Sequence, residues 1–426
     1  MKILIENTTI LPMTAPDHFY RGDIGIAEGI IQFIGTKDPS FVPDTIIDGS
    51  DHLSLPGLIN AHTHLPMVLM RNYRDNLPSL DAWLNAIFPI EDTLSEEDIL
   101  VASKLGVAEL IQSGVTTFCD MYFHPLATAE AVLSGGIRAN LGLTLFGDAE
   151  ATSARIAERA EGMLALRDHP SGRISLSIAP HAIYTCSAET YQAANQWARE
   201  HDALLHTHLS ETEEEVQGAQ NEHGTTPLEY LISIGALQGV QALFAHGVFL
   251  SEQDIAYLAK SEHAIVHNPS SNLKLNCGIA PVAKYRDAGI RVALGTDGAA
   301  SNNNLNMVEE MHIAALLGRY QSNLSAYEVL KMATVDGAKA LGLDQKIGTL
   351  EVGKEADLIM VNTKAAHLTP CNDPFSALVY SAQASDVKTV LCQGQLLLHE
   401  GKLLSVDLDA ILRAVEKSWS DILARQ

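Results

Sequence analysis

The chain is organised around one stretch, Leu53-Ser54-Leu55-Pro56-Gly57-Leu58-Ile59-Asn60-Ala61-His62-Thr63-His64, an apolar run that ends in two histidines one residue apart. The apolar residues predict a β-strand, and Pro56-Gly57 predicts a break before the histidines. Successive side chains point to opposite faces of a strand, so His62 and His64 share a face and can reach one ion. The pair alone is weak evidence for a metal site, because two nearby histidines are often ordinary polar side chains.

Beyond this stretch, apolar strand-like segments alternate with segments of helical periodicity, a pattern that predicts βα units and a parallel sheet. A serine with an acidic residue three positions later predicts helix starts at Ser95, Ser251 and Ser325. Eight strands are predicted, as a closed (β/α)8 barrel requires, and such a barrel carries its chemistry at the C-terminal strand ends. After the first, they are Val115 to Tyr122, Ile137 to Leu145, Ile174 to Ala179, Ala203 to Leu209, Ala242 to Val248, Ala264 to His267 and Arg291 to Leu294.

Both flanks of this region contain short β segments separated by turns, including a hairpin over Glu28-Gly29. Neither flank is long enough for a domain alone, so we expect them to pair into one small discontinuous β-sandwich unit. The predicted fold is α/β, with a barrel over residues 56–345 and a β unit from residues 1–55 and 346–426. The last flank contains the predicted β segments Gly348 to Leu350, Ala356 to Val361, Val387 to Leu391 and Gln395 to Leu398, and a closing helix from Leu408 to Leu423.

Charge and cysteine content narrow the class of protein. The chain has 28 Lys and Arg against 52 Asp and Glu, a net charge of −24 that repels nucleic acid and anionic membranes. The sequence has no apolar run long enough to span a membrane and no secretory pattern at its N-terminus, which predicts a cytoplasmic location. Five cysteines without C-x-x-C spacing argue against disulfides and a zinc-thiolate site. A small-molecule substrate is the better expectation.

Histidines and acidic residues recur at the predicted strand ends. The fifth strand ends in His206-Thr207-His208 with Glu211 shortly after it, the sixth ends near His246, and Asp297 follows the eighth. Together with the first pair, they indicate a metal site rather than scattered core histidines. Their nitrogen and oxygen donors suit zinc, iron or manganese, and three histidines with one aspartate leave a position for water. The fourth strand has no lysine or glutamate to bridge two metals, so one metal ion is predicted.

Longer motifs surround these residues: Pro56 to His64, Pro89-Ile90-Glu91-Asp92, Asp120-Met121-Tyr122, Pro180-His181, His208-Leu209-Ser210-Glu211, Ala245-His246, His267 to Leu275 and Gly295 to Asn303. They resemble the motifs of the amidohydrolase superfamily, in the branch that deaminates 5′-methylthioadenosine and S-adenosylhomocysteine. The H-x-H and T-D-G pieces are superfamily-wide, whereas the Pro89 motif and the last two runs are more specific to this branch. The resemblance covers most of the chain and implies a barrel of the amidohydrolase type.

The resemblance implies one set of metal ligands, consisting of His62, His64, His208 and Asp297. They would hold one divalent metal, with zinc as the first choice and iron or manganese as alternatives. Glu211 matches the glutamate that shuttles protons, and His246 matches a histidine that hydrogen-bonds the metal-bound water or the developing alkoxide. His206 has no glutamate three residues later and is interpreted as a supporting residue.

The implied reaction is a hydrolytic deamination in which metal-bound hydroxide attacks C6 of the purine. Glu211 would protonate N1, Asp297 would carry a second proton to the departing amine, and His246 would stabilise the oxygen of the tetrahedral intermediate. Ammonia and a 6-oxo, inosine-type product would result.

For the substrate, Glu91 matches a glutamate that holds the ribose hydroxyls, and His181 matches a histidine that contacts the base. Arg155 fits an arginine that would meet the amino-acid tail of S-adenosylhomocysteine. The stretch from Leu143 to Gly147 lacks a second arginine, which favours the neutral methylthio group or a broad preference that includes adenosine. By resemblance, the partners are a nucleoside and further copies of the chain in a homo-oligomer.

Two other functions stay open. The same class of enzyme could act on guanine, a pterin or an s-triazine, which lack the ribose diol that Glu91 would hold. A non-catalytic barrel would show a broken ligand set, whereas this chain has all four ligands and Glu211. Apolar residues after the first strand are interpreted as core packing; they are Met67, Met70, Trp83 and Phe88.

Overall fold

The N-terminal flank forms five strands of one sheet. A computed structural model describes residues 1–425, in which these strands are β1 (Lys2–Ile10), β2 (Tyr20–Ala27), β3 (Ile30–Gly35), β4 (Thr45–Asp48) and β5 (His52–Pro56). β2 and β3 pair antiparallel across Glu28 and Gly29, whose φ angles of 51° and 77° are left-handed. Two such residues make the tight turn that suits the twist of a hairpin, so the predicted hairpin is confirmed.

Eight parallel strands follow in chain order and form a nearly closed barrel, as predicted. The first and eighth strands meet through the side chain of Asn60, whose Nδ2 donates to Thr296 Oγ1 at 2.7 Å and whose Oδ1 accepts from Thr296 N–H at 3.1 Å. These strands are β6 (Leu58–Thr63), β7 (Val115–Tyr122), β8 (Arg138–Leu145), β9 (Ile174–Pro180), β10 (Leu204–Leu209), β11 (Ala242–His246), β12 (Ala264–His267) and β13 (Arg291–Leu294).

The stretch that ends at His64 contains two strands rather than the single one predicted. β5 ends at Pro56 in the flanking sheet, and β6 begins at Leu58 in the barrel. Gly57 lies between them, and a Cβ atom there would come within 2.2 Å of the Thr116 hydroxyl. The chain therefore passes from one sheet to the other at a position where the close approach of β7 requires glycine.

Helices follow the barrel strands, as βα units require. At the three predicted starts, Ser95, Ser251 and Ser325, the serine hydroxyl and the acidic side chain three residues later cap each other's N–H groups. No helix among residues 1–425 is long and apolar enough to cross a membrane. The helices are α1 (Leu80–Glu91), α2 (Glu96–Gln112), α3 (Pro125–Gly135), α4 (Ala149–Arg167), α5 (Ala188–His201), α6 (Glu213–His223), α7 (Pro227–Ser233), α8 (Glu252–Leu258), α9 (Pro269–Lys274), α10 (Val282–Asp287), α11 (Ala299–Asn302), α12 (Met307–Gln321), α13 (Ala326–Met332) and α14 (Val335–Ala340).

The C-terminal flank completes the sheet that the N-terminal flank began. It contains β14 (Leu358–Asn362), α15 (Pro374–Ser376), β15 (Val387–Cys392), β16 (Gln395–His399), β17 (Lys402–Leu403) and the closing helix α16 (Leu408–Ala424). β14 pairs antiparallel with β5, so the predicted union of both termini in one β unit is confirmed. The β segment predicted over Gly348 to Leu350 is wrong, because this segment is irregular and its Leu350 N–H donates to Pro12 O. The domain limits at residues 55/56 and 345/346 stay a prediction.

Arg138, at the start of β8, joins the barrel to the flanking unit. Its guanidinium lies 2.5 Å from a carboxylate oxygen of Glu355 and 3.3 Å from one of Asp357, and the side chains of Arg138 and Asp357 are almost completely buried. Buried charges cost free energy unless they are paired, so each member of this cluster depends on the others.

We expect Arg138→Met to destabilise the fold by about 3–5 kcal/mol, because it leaves the Asp357 carboxylate buried without its partner. The free energy of unfolding in urea measures this loss. Lys417→Met is the control, since it breaks an exposed ion pair with Asp421 and is expected to leave the unfolding midpoint unchanged. Equal midpoints for both variants would contradict the assignment.

Candidate active site and metal centre

Residues from three barrel strands and the segments that follow them meet at the C-terminal end of the barrel. His62 lies in β6 and His64 directly follows it, His208 lies in β10, and Asp297 follows β13; all four side chains are buried. The Nε2 atoms of His62 and His64 lie 3.4 Å and 3.2 Å from Oδ1 of Asp297. Nε2 of His208 lies 3.3 Å from Nε2 of His64. The structure thus brings the four predicted ligands together.

The donor atoms fit a metal ion. They form two overlapping sets within 4.8 Å, one of His62, His64 and Asp297 and one of His62, His208 and His246. Nε2 of His62, which both sets share, is buried without a hydrogen-bond partner. A buried polar atom is costly when it is unpaired, and a cation at this point would satisfy it. Imidazole nitrogens and a carboxylate oxygen suit zinc and similar divalent ions.

The protonation of these side chains also suits a cation. Burial lowers the pKa of His62 to about 4 and the pKa of His208 well below its usual value, so both imidazoles are neutral at pH 7. Burial lowers the pKa of His64 too, but the hydrogen bond and charge of Asp297 outweigh it and raise this pKa to about 9. The space between His64 and Asp297 therefore favours positive charge.

The far sides of the imidazoles are anchored. Nδ1–H of His64 donates to the Met121 carbonyl at 2.5 Å, and Nδ1–H of His208 donates to the His181 carbonyl at 2.9 Å. His206 pairs with Nδ1 of His62 at 2.9 Å, which agrees with its interpretation as a supporting residue. Contacts of this kind orient metal-binding imidazoles, because they fix the ring and leave Nε2 for the metal.

Two serines that the sequence analysis did not single out hold Asp297. The hydroxyls of Ser271 and Ser301 donate to Oδ2 at 2.6 Å and 2.8 Å. Burial alone would raise the pKa of Asp297, but the neighbouring imidazoles of His62 and His64 hold it well below its usual range. The carboxylate is therefore ionised, with Oδ1 turned to the histidines. Both serines lie in the runs that follow His267 and Gly295, which was the available signal.

Glu211 lies beside this centre on a strained turn. Ser210 before it has a φ of 49°, and the Glu215 carboxylate accepts the N–H groups of Ser210 at 3.0 Å and of Glu211 at 2.8 Å. Oε2 of Glu211 is 3.7 Å from Nε2 of His246. Burial raises the pKa of Glu211 above its usual value.

A cavity opens above the centre, and aromatic side chains form much of its wall. Phe146 stacks on His181 with ring centroids 4.7 Å apart, and Phe123 stacks on Phe146 at 5.7 Å. Met67, Met70 and Trp83 are buried in the core, as predicted, although Met67 and Trp83 also line the cavity. Phe88 lines the cavity and is not part of the buried core, so its interpretation as core packing is wrong. Glu211, His246 and Asp297 also line the cavity, so a flat ring in it would face all three.

Glu91, at the end of α1, is a buried carboxylate in the wall of the same cavity. The hydroxyl of Tyr122 donates to its Oε1 at 2.6 Å. Burial raises the pKa of Glu91 to about 7, although the Tyr122 hydrogen bond opposes this shift. The second carboxylate oxygen has no protein hydrogen bond within the described residues. The sequence analysis missed Tyr122 as a partner of this glutamate.

The structure does not place Arg155 in this cavity. Arg155 lies on α4 in an adjacent cavity that shares Glu91, Tyr122, Phe123 and Thr144 with the main one. Its guanidinium carbon is 5.7 Å from the centre of the Phe123 ring, and this ring lines both cavities.

Fold and site together define a barrel hydrolase with a metal centre of histidines and an aspartate. Residues 53–397 match the model of the Amidohydrolase family. The chain therefore belongs to the amidohydrolase family, and the resemblance seen in its sequence is confirmed.

The chain is similar in sequence to named deaminases and in structure to solved zinc-bound hydrolases. The chain is 43% identical to a 5-methylthioadenosine/S-adenosylhomocysteine deaminase of Desulfitobacterium hafniense over 98% of this chain and 97% of that protein. It is 42% identical to the protein of the same name from Moorella thermoacetica, over 98% of both chains. A zinc-bound adenosine deaminase from Xanthomonas campestris superposes with a TM-score of 0.94 at 31% identity, over 99% of this chain and 98% of that one. A zinc complex of atrazine chlorohydrolase from Arthrobacter aurescens TC1 gives 0.89 at 26% identity, over 98% and 100%.

We expect His208→Ala to lower the metal content of the purified protein, because it removes an anchored imidazole from the centre. Glu211→Gln is the matched control: its side chain is buried nearby but belongs to neither donor set, so the metal content should stay near one ion per chain. Mass spectrometry of the metal after dialysis measures both. Full metal content in the His208 variant would exclude it as a ligand.

Proposed function

We propose that this protein is a metal-dependent deaminase of adenosine-type nucleosides, with 5′-methylthioadenosine, S-adenosylhomocysteine or both as substrates. One observation carries the proposal: an acid-base pair, Glu211 and His246, and a carboxylate suited to a ribose, Glu91, face the same cavity above a metal-binding centre. The names of the relatives support the same substrates.

His62, His64, His208 and Asp297 would hold one divalent metal, which we propose to be zinc, as in the two zinc-bound neighbours. When bound, such a metal supplies a water activated for attack at neutral pH. The rest of the chemistry falls to side chains of this chain.

Glu211 takes a proton from the attacking water and passes it to N1 of the purine, which makes C6 electron-poor and open to attack. His246 holds the oxygen that adds to C6, because Nδ1 is engaged by Asn272 at 2.8 Å and Nε2 is left for the substrate. Asp297, fixed by its two serines, takes the second proton from that oxygen and passes it to the amine. Ammonia then leaves, and the 6-oxo product remains.

Two side chains in the cavity wall, Glu91 and His181, would recognise the nucleoside. Glu91 would accept the two ribose hydroxyls with the carboxylate oxygen that Tyr122 leaves free and with the remaining lone pairs of the other. His181, stacked on Phe146, would contact the base. A buried carboxylate placed for a diol rejects ligands that lack it, because the charge is then left without a partner.

The same reasoning ranks the alternatives. Guanine, a pterin or an s-triazine would leave Glu91 unpaired, so we place them below the ribosides even though a triazine-type enzyme shares the fold. A non-catalytic barrel is disfavoured, since every predicted ligand and Glu211 lie in the site. Homo-oligomerisation and a cytoplasmic location stay predictions.

Arg155 bears on the choice between the two favoured nucleosides. We propose that it meets an amino-acid tail only if that tail passes Phe123 into the adjacent cavity. Thr144 stands in the wall shared by the cavities and carries no charge. The methylthio group is short and neutral, so it needs neither to pass Phe123 nor to pair with a charged side chain. We therefore propose 5′-methylthioadenosine as the preferred substrate.

Ammonia release from the metal-loaded protein tests this function with 5′-methylthioadenosine, S-adenosylhomocysteine, adenosine and guanine side by side. We expect turnover of the ribosides but not of guanine, and Glu211→Gln should reduce kcat at least about a hundredfold because proton transfer is lost. Near-normal turnover in that variant would exclude Glu211 as the proton shuttle. If none of the four compounds released ammonia at full metal content, the substrate would not be one of these purines.

The raised pKa of Glu91 predicts a pH dependence of ribose binding. Below pH 7 the carboxyl is protonated and binds a diol poorly, so affinity should rise about tenfold from pH 6 to pH 8. Calorimetry with the product inosine and with hypoxanthine isolates the ribose contribution as the ratio of their Kd values. In Glu91→Gln, whose amide does not titrate, the ratio should not change with pH. A pH-dependent ratio in the variant would assign the titration to another group.

A further inference from the structure

Glu211 has few protein contacts for a buried carboxylate. Its Oε2 lies 3.7 Å from Nε2 of His246, which is beyond hydrogen-bond distance. Within residues 1–425, one protein group donates a hydrogen bond to this carboxylate: the thiol of Cys277, whose Sγ lies 3.5 Å from Oε1. Buried carboxylates usually accept several hydrogen bonds. With only one from the described residues, the orientation of the Glu211 side chain depends mainly on the Cys277 thiol.

The segment that carries Cys277 is itself fixed to the site. The N–H of Cys277 donates to the carbonyl of Asn272 at 2.8 Å, and the side chain of Asn272 lies 2.8 Å from Nδ1 of His246. One short segment, from α9 to Cys277, therefore contacts both side chains to which we assign the handling of protons at the purine and of the added oxygen.

We propose that Cys277 is a positioning residue for Glu211: its S–H donates to Oε1 and thereby turns Oε2 toward His246 and the substrate. This inference rests on the proposed function, because it gives Glu211 its role in proton transfer. Glu211 lines the cavity and Cys277 does not, so the thiol acts through Glu211 rather than on the substrate.

The competing explanation is packing, since Cys277 is 3% exposed and a small buried side chain can simply fill space. Three substitutions separate the two. Cys277→Ser keeps a donor in nearly the same volume, Cys277→Val fills the space without a donor, and Cys277→Ala removes both.

We expect the serine variant to keep kcat for 5′-methylthioadenosine within about twofold, because a hydroxyl replaces the thiol as donor. The valine and alanine variants should both lose kcat about three- to tenfold, with KM and metal content unchanged, since a weak hydrogen bond is lost and the nucleoside contacts remain. Cys392→Ala is the matched control. It removes another buried thiol that lies 3.6 Å from a carboxylate oxygen, that of Asp357, away from this cavity, and should leave kcat unchanged.

Normal kcat in the valine variant would overturn the proposal in favour of packing, and equal kcat in all three variants would overturn it too. A second readout needs no turnover: the infrared S–H stretching band that disappears in Cys277→Ala should shift to higher frequency in Glu211→Gln, whose neutral acceptor is weaker. A band that does not move would exclude the contact. If the wild type deaminates none of the nucleosides, the proposed function fails, whereas this band still decides whether the thiol binds Glu211.

Discussion

Asn60 and Thr296 exchange two hydrogen bonds although 236 residues separate them, and beside them Asp297 N–H donates to the His62 carbonyl at 3.0 Å. These bonds join the first and eighth strands of the barrel. They bring Asp297, after the eighth strand, next to His62 and His64 at the end of the first strand. The candidate metal centre therefore forms only when the barrel is closed. The histidines of β10 and β11 then complete it from the opposite wall.

The site is held in a costly arrangement. Ser210, His246 and Asp297 lie at or just beyond strand ends and adopt left-handed backbone with φ of 49°, 73° and 62°. Backbone strain of this kind persists only where surrounding contacts enforce it, here the Glu215 carboxylate at Ser210 and the β6 backbone at Asp297. Each left-handed residue turns the chain sharply at the mouth of the barrel, and Glu211, His246 and Asp297 line one cavity there.

The flanking sheet is connected through the backbone to the strand that leads into the candidate metal centre. β5 runs directly through Gly57 into β6, which contains the predicted ligand His62 and is followed at once by His64, while Arg138 joins the start of β8 to Glu355 and Asp357. The sheet therefore fixes the entry of the first barrel strand. It positions the metal centre although none of its own residues lines the cavity.

By itself, the sequence determined the eight strands, three capped helix starts and the ligand motifs, because alternation, helical period and caps are local. It could not separate β5 from β6, since both are apolar and the choice of sheet depends on contacts with Thr116 and Asp357. Phe88 was predicted as core but lines the cavity, and Trp83 does both, because an apolar side chain has the same sequence pattern whether it faces a core or a cavity. Ser271, Ser301 and Cys277 reach Asp297 and Glu211 only through folding, since distant segments share no local period and their contacts are decided by tertiary structure.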